Sequence, residues 1–160
     1  MKPLFVLVLV VYPFIQHAYA QEIKESKTRF VLGLSLPELI HAGVTYRFAS
    51  WSQLGVNAGV TPAYDEIYPT ISLEHRLYFG NKNPKLAQKT WFCRQGGTYL
   101  PDEVSGEQFT ANLTVGKDLV FRKKNGMTID AGVYYKNVDK SSHIYPALRV
   151  EFFISAKPRT

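Results

Sequence analysis

Between positions 40 and 49 the chain reads IHAGVTYRFA, with an apolar or aromatic side chain at every second place (Ile40, Ala42, Val44, Tyr46, Phe48) and His41, Gly43, Thr45 and Arg47 between them. A period of two belongs to a β-strand with unlike faces, because successive side chains leave a strand on opposite sides. The same period recurs along the rest of the chain, in segments separated by clusters of Pro, Gly, Asn, Asp and Ser, and no helical period follows Gln21. The spacing predicts a meander of eight antiparallel strands over 28–36, 39–48, 53–61, 68–79, 90–99, 108–120, 128–138 and 145–155. Neither face of the fifth segment is clean, and adjacent Gly96 and Gly97 predict a bulge or a sharply coiled strand there.

The start of the chain sets the compartment. Lys2, the apolar run from Leu4 to Val11 and the small-x-small site Ala18-Tyr19-Ala20 predict a cleaved secretory signal over 1–20. Pro13 interrupts the run, which ends near Ile15 and is too short for a helix crossing about 30 Å of hydrocarbon. A tail over 21–27, a barrel domain over 28–155 and a C-terminal tail over 156–160 account for the remainder. Cys93 is the single cysteine, so an internal disulfide is excluded and backbone pairing in a closed sheet becomes a candidate source of stability. The net charge of +6 does not point to nucleic acid, because the lysines gather in turn-like GNKNPKLAQK and FRKKNG while other charges stand singly along strands.

Which face looks inward is decided by what shares the polar side. It carries Gly33, Gly43, Gly55, Gly59, Gly116 and Gly132 together with Arg29, His41, Arg47, Glu74, Arg76, Asp118, Asp130, Lys136, Arg149 and Glu151. Water does not require small residues, but the cross-section of a narrow barrel does. Charges of both signs enclosed there must pair, which predicts an ion network that plugs the interior rather than a positive channel. The opposite face is aliphatic with aromatic residues toward strand ends (Tyr46, Phe48, Phe79, Tyr135), as lipid and its interfaces select. An even strand number lets the meander close and leaves no unpaired edge in hydrocarbon. The expected fold is therefore all-β, an eight-stranded antiparallel up-and-down transmembrane β-barrel with a polar, plugged interior. A secreted, soluble lipocalin-like barrel, with the apolar face lining a ligand cavity, has the same alternation and stays open at this point. The phase of His75 places it, against expectation, with the apolar residues.

The stretches AGVTYRF, SLEHRLYFG, IDAGVYYK and LRVEFFI carry a resemblance to a known class, the small eight-stranded outer-membrane β-barrels of Gram-negative bacteria, of the outer-membrane-protein-A type. The resemblance spans nearly the whole chain after the signal. It implies a monomer in the bacterial outer membrane, in contact with outer-membrane lipid, with both termini periplasmic and odd-numbered links facing out. It also implies a structural or surface-interaction role without an open pore, and a bare barrel with no peptidoglycan-binding domain after the eighth strand. Members of the class end on an aromatic residue read by the barrel-insertion machinery, a partner during assembly. Here Phe152 and Phe153 precede Ile154 and the tail SAKPRT. Tyr64, Asp65, Glu66, Tyr99, Asp102 and Glu103, assigned to the outward loops, are the candidate contacts for an extracellular partner.

Catalytic chemistry finds little purchase. SSHIY, 141–145, puts hydroxyls beside His143, and some eight-stranded outer-membrane barrels are lipid A deacylases with a Ser and His pair. No Ser-x-x-His pattern occurs, and the stretch is expected to be a solvated loop, so no catalytic residue is assigned; a lipid-modifying outer-membrane enzyme is the alternative. Glu74, Arg76, Asp130, Arg149 and Glu151 are expected to be structural ion pairs. His17, His41, His75 and His143 lack metal-ligand spacing, and neither metal nor cofactor is expected.

Overall fold

The computed structural model describes residues 27–36, 38–63, 66–82, 88–100, 108–122, 125–138 and 141–156. Eight strands follow one another: β1 (Thr28–Ser35), β2 (Ile40–Ala49), β3 (Ser52–Ala63), β4 (Glu66–Phe79), β5 (Trp91–Leu100), β6 (Gln108–Arg122), β7 (Asn125–Val138) and β8 (Ser141–Ser155). Each pairs antiparallel with the next, and β1 pairs with β8, closing the barrel. The expected signal segment, residues 21–26 and the last four residues lie outside the described residues.

The strands reach further than the sequence pattern at the end opposite the termini. Pro62 and Ile67, expected in a link, pair across β3 and β4, and β8 begins four residues early, with Ser142 opposite Asn137 and His143 opposite Lys136. Pro62 reads as a turn signal while Pro69 and Pro146 fall within expected strands, and all three sit in the ladder toward that end, where a missing N–H is tolerated more readily than in mid-sheet. Among the described residues, register shifts occur only at the termini end, between Arg47 and Ala49 and between Val120 and Arg122. Of the two arrangements expected at Gly96 and Gly97, a bulge or a sharply coiled strand, the bulge is absent: β5 runs in unbroken register against both neighbours. Gly97 instead leaves room for an aromatic ring, since a Cβ there would lie 2.8 Å from Phe109 Cε2.

Burial alternates with the strand period and is inverted relative to a soluble protein. Along β8, Leu148 is 52% exposed and Phe152 59%, whereas Arg149 is 2% and Glu151 0%. Phe30, Leu32, Leu34, Val56, Ile71, Leu73, Leu113 and Val115 continue this outward apolar wall. A contiguous belt of that kind demands an apolar surrounding, and the lipocalin-like arrangement, with apolar side chains inside, is not the one this barrel has. Leu73 stands halfway along β4 on the wall. Leu73→Arg is expected to destabilise the lipid-embedded barrel by about 2–4 kcal/mol, the depth-dependent cost of a cation near the bilayer midplane, read as a shift of the urea unfolding midpoint in vesicles. An unchanged midpoint would place Leu73 outside lipid.

Candidate functional site in the barrel interior

At the termini end, β1, β2, β4 and β7 converge their inward side chains on the carboxylate of Asp118 on β6. Arg29 donates to Asp118 at 2.7 Å, Thr128 donates at 3.0 Å, the Tyr78 hydroxyl at 3.2 Å, and Arg47 approaches to 3.7 Å. Arg47 also donates to Gln88 at 2.6 Å and lies over the Tyr78 ring at 4.1 Å, while Arg29 lies over Phe153 at 4.3 Å. Charge pairs, stacked guanidinium groups and aromatic rings together fill this end.

Halfway up, Glu74 accepts from Arg76 at 2.6 Å and from Arg149 at 2.7 Å. Glu151 takes Arg76, Arg149 at 2.5 Å and His41 at 3.0 Å. Arg94 joins the cluster, donating to Asp130 at 2.7 Å and lying 3.7 Å from Glu74. Gly33 makes room for it: a Cβ there would come within 2.8 Å of Glu151 Cγ and 2.9 Å of His41 Cε1. Among the described residues the buried interior holds five arginines (29, 47, 76, 94, 149) and five carboxylates (Glu38, Glu74, Asp118, Asp130, Glu151). The equal numbers leave these ten groups with no net formal charge, and the close pairs partly offset the desolvation of their members.

Nine of the ten inward charges read from the sequence meet in this network: Arg29, His41, Arg47, Glu74, Arg76, Asp118, Asp130, Arg149 and Glu151. Lys136 does not. Its strand phase points inward, but it sits near the end of β7, half-buried at the mouth opposite the termini, and makes no ion pair among the described residues. Two members are absent from the sequence reading. Arg94 lies on β5, whose faces are blurred because apolar Phe92 and Leu100 point inward while Gln95 points out. Glu38 lies in the link between β1 and β2, where a strand period assigns no side. A charge count carried a signal for it: the inward set read from the sequence had five Lys or Arg against four carboxylates.

The surface assignments change as well. Tyr99 belongs to β5 and stands on the outward wall beside Ile71 and Phe109, so it is a wall residue and not a loop contact. Glu66 pairs through its backbone with Ala63 at the start of β4. Tyr64, Asp65, Asp102 and Glu103 lie outside the described residues. SSHIY is strand rather than loop, and its neighbours separate by face: Ser142 bonds the Tyr135 hydroxyl at 2.7 Å, whereas the His143 ring lies 6.0 Å from that of Tyr145. Adjacent strand positions point to opposite sides, so Ser142 and His143 do not form a pair.

The misplaced phase of His75 has a local answer. Its Nε2 meets Ser52 Oγ at 2.6 Å, its Nδ1 meets the Gln95 amide at 3.2 Å, and Phe48 stacks on its ring at 6.2 Å between centroids. Polar atoms on the wall are thereby satisfied within the sheet. Ser52 is 0% exposed, which keeps an acyl carbonyl from reaching its hydroxyl in this conformation. Cys93 stands half-buried on the same wall, and among the described residues no group of three or more His, Cys, Asp or Glu side chains is arranged to hold a metal ion.

No protein-family model matches the chain, and no curated protein matches it. Among solved structures, the chain is similar to the N-terminal β-barrel domain of Pseudomonas aeruginosa OprF, with a TM-score of 0.53 and 12% identity over 84% of this chain and 100% of that one. A de novo designed transmembrane β-barrel matches with a TM-score of 0.48 and 9% identity over 86% of this chain and 100% of the other. The closed eight-strand sheet, the apolar exterior and the likeness to the OprF domain define a small transmembrane β-barrel of the outer-membrane type. Its interior is polar and occupied by paired charges.

Proposed function

We propose that this protein is an integral component of the bacterial outer membrane, exported through a cleaved signal, with a structural or surface-interaction role and no open pore. In this reading both termini face the periplasm and the β1–β2, β3–β4, β5–β6 and β7–β8 ends face outward. The observation that carries the proposal is the pairing of charges across the lumen inside an apolar wall, because such an interior occupies the lumen with paired side chains and obstructs solute passage. Outer-membrane lipid and the barrel-insertion machinery are the partners that the reading requires, and the outward links supply the surface for an extracellular one.

Two measurements bear on it. The expressed chain is expected in the outer-membrane fraction, with a faster-migrating unheated band in detergent electrophoresis, and planar bilayers carrying it are expected to show no stepwise conductance. Recovery as a soluble periplasmic protein would overturn the localisation, and regular single-channel steps would overturn the closed interior.

A further inference from the structure

A cavity of about 260 Å³ opens at the mouth opposite the termini, above the ion network. Glu38, Thr70, Thr98, Leu100, Tyr134 and Lys136 are among its walls. The volume lies below the ~300–1,000 Å³ of pockets for drug-sized ligands and suits a molecule the size of an amino acid.

Glu38 is the distinctive wall residue. It is 2% exposed, yet among the described residues its carboxylate has only long contacts: the hydroxyls of Thr70 at 3.4 Å, Thr98 at 3.5 Å and Ser35 at 3.5 Å, and His41 Nδ1 at 3.9 Å. Each of the other four buried carboxylates has a guanidinium nitrogen within 2.7 Å. A carboxylate withdrawn from water without a close cation is left with unmet electrostatic demand. Lys136 lines the same cavity and pairs with no carboxylate among the described residues. The cavity thus presents one anion and one cation that do not neutralise each other by contact, set among apolar and hydroxyl-bearing walls.

We propose that this cavity binds a small zwitterion, its ammonium group against Glu38 and its anionic group against Lys136, with a short apolar body beside Leu100 and Tyr134. A simple amine would meet Glu38 and be opposed by Lys136; a simple carboxylate would meet the reverse. Only a ligand carrying both charges satisfies both walls. The site goes beyond the surface-interaction role, since it is built from the barrel wall and the β1–β2 link rather than from the outward loop tips, and it is tested on purified protein whatever the cellular location.

The experiment is calorimetric titration of the refolded chain in detergent micelles with L-leucine, and separately with isoamylamine and 4-methylpentanoate, which keep the leucine body but carry one charge each. Saturable leucine binding is expected, with each single-charge analogue at least tenfold weaker. Lys136→Met, at a half-buried position outside the ion network, is expected to keep the heat-dependent gel shift, weaken leucine at least tenfold and leave isoamylamine no weaker. Glu38→Gln is expected to weaken leucine and isoamylamine alike; if that variant does not fold, the Lys136→Met and analogue comparisons still decide. Absence of saturable leucine binding, equal affinity for leucine and isoamylamine, or leucine binding unchanged by Lys136→Met would each overturn the proposal.

Discussion

Glu151→Ala is expected to destabilise the folded barrel by about 3–5 kcal/mol, the usual cost of removing one partner from a buried ion pair. Glu151 is fully enclosed and serves Arg76, Arg149 and His41 together. Without it, two guanidinium groups remain inside the barrel with Glu74 as their shared carboxylate. Urea unfolding of the refolded protein measures the effect, as a fall in midpoint without a change in slope. The double variant with Arg76→Ala is expected to cost less than the two single losses summed, because removing both members leaves less uncompensated charge. A Glu151→Ala loss below about 1 kcal/mol would match a solvated surface pair and would mean that water screens the network.

Gly116→Val is the second large effect, through shape rather than charge. The glycine faces inward on β6, and an added Cβ would meet the Asp130 Cβ, the Ile129 carbonyl oxygen at 2.6 Å and the Phe92 Cζ at 2.6 Å. The carbonyl belongs to the neighbouring strand and cannot retreat without disturbing the β6–β7 ladder. Overpacking of this kind typically costs about 1–3 kcal/mol, and the backbone contact places Gly116→Val at the upper end of that range or beyond it. Gly80 supplies the contrast. It follows the last residue of β4 with φ of 79°, and a Cβ there would find its nearest neighbour only at 4.0 Å. Gly80→Asn is therefore expected to be mild, since asparagine tolerates the left-handed region, while Gly80→Val is strained by its backbone. Thermal midpoints of the three variants check the ranking, and a benign Gly116→Val would mean that the lumen is wider than described.

The strands and their faces were legible in the sequence because two surroundings enforce one period: lipid selects the residues on one side and a narrow lumen those on the other. Arg29, His41, Glu74 and Glu151 could be assigned inward from strand phase alone, without knowing which charges would meet. Partners were not legible, because pairing depends on register and on contacts across the lumen: Arg29 and Asp118 lie 89 residues apart. Glu38 escaped because a link residue has no phase, and Arg94 because Phe92 and Leu100 put apolar groups on its inward side. His75 broke the rule for the same reason of register, since its hydrogen-bonding neighbours Ser52 and Gln95 stand on adjoining strands and can be found only once the strands are aligned. Pro62 and the acidic link PAYDEI hid the outer reach of β3 and β4, because a residue lacking an N–H reads as a turn wherever the ladder position is unknown, and the polar run DKSSH hid that of β8.

The most direct test of the account is a nitroxide scan along β4 in lipid vesicles, with labels attached one at a time at Thr70, Ile71, Ser72 and Leu73 in a chain carrying Cys93→Ala. High accessibility to oxygen at Ile71 and Leu73, low accessibility at Thr70 and Ser72, and exclusion of an aqueous nickel complex from Ile71 and Leu73 are predicted for an apolar wall in lipid around a plugged lumen. Access of the nickel complex to Ile71 and Leu73, or loss of the two-residue period, would contradict it.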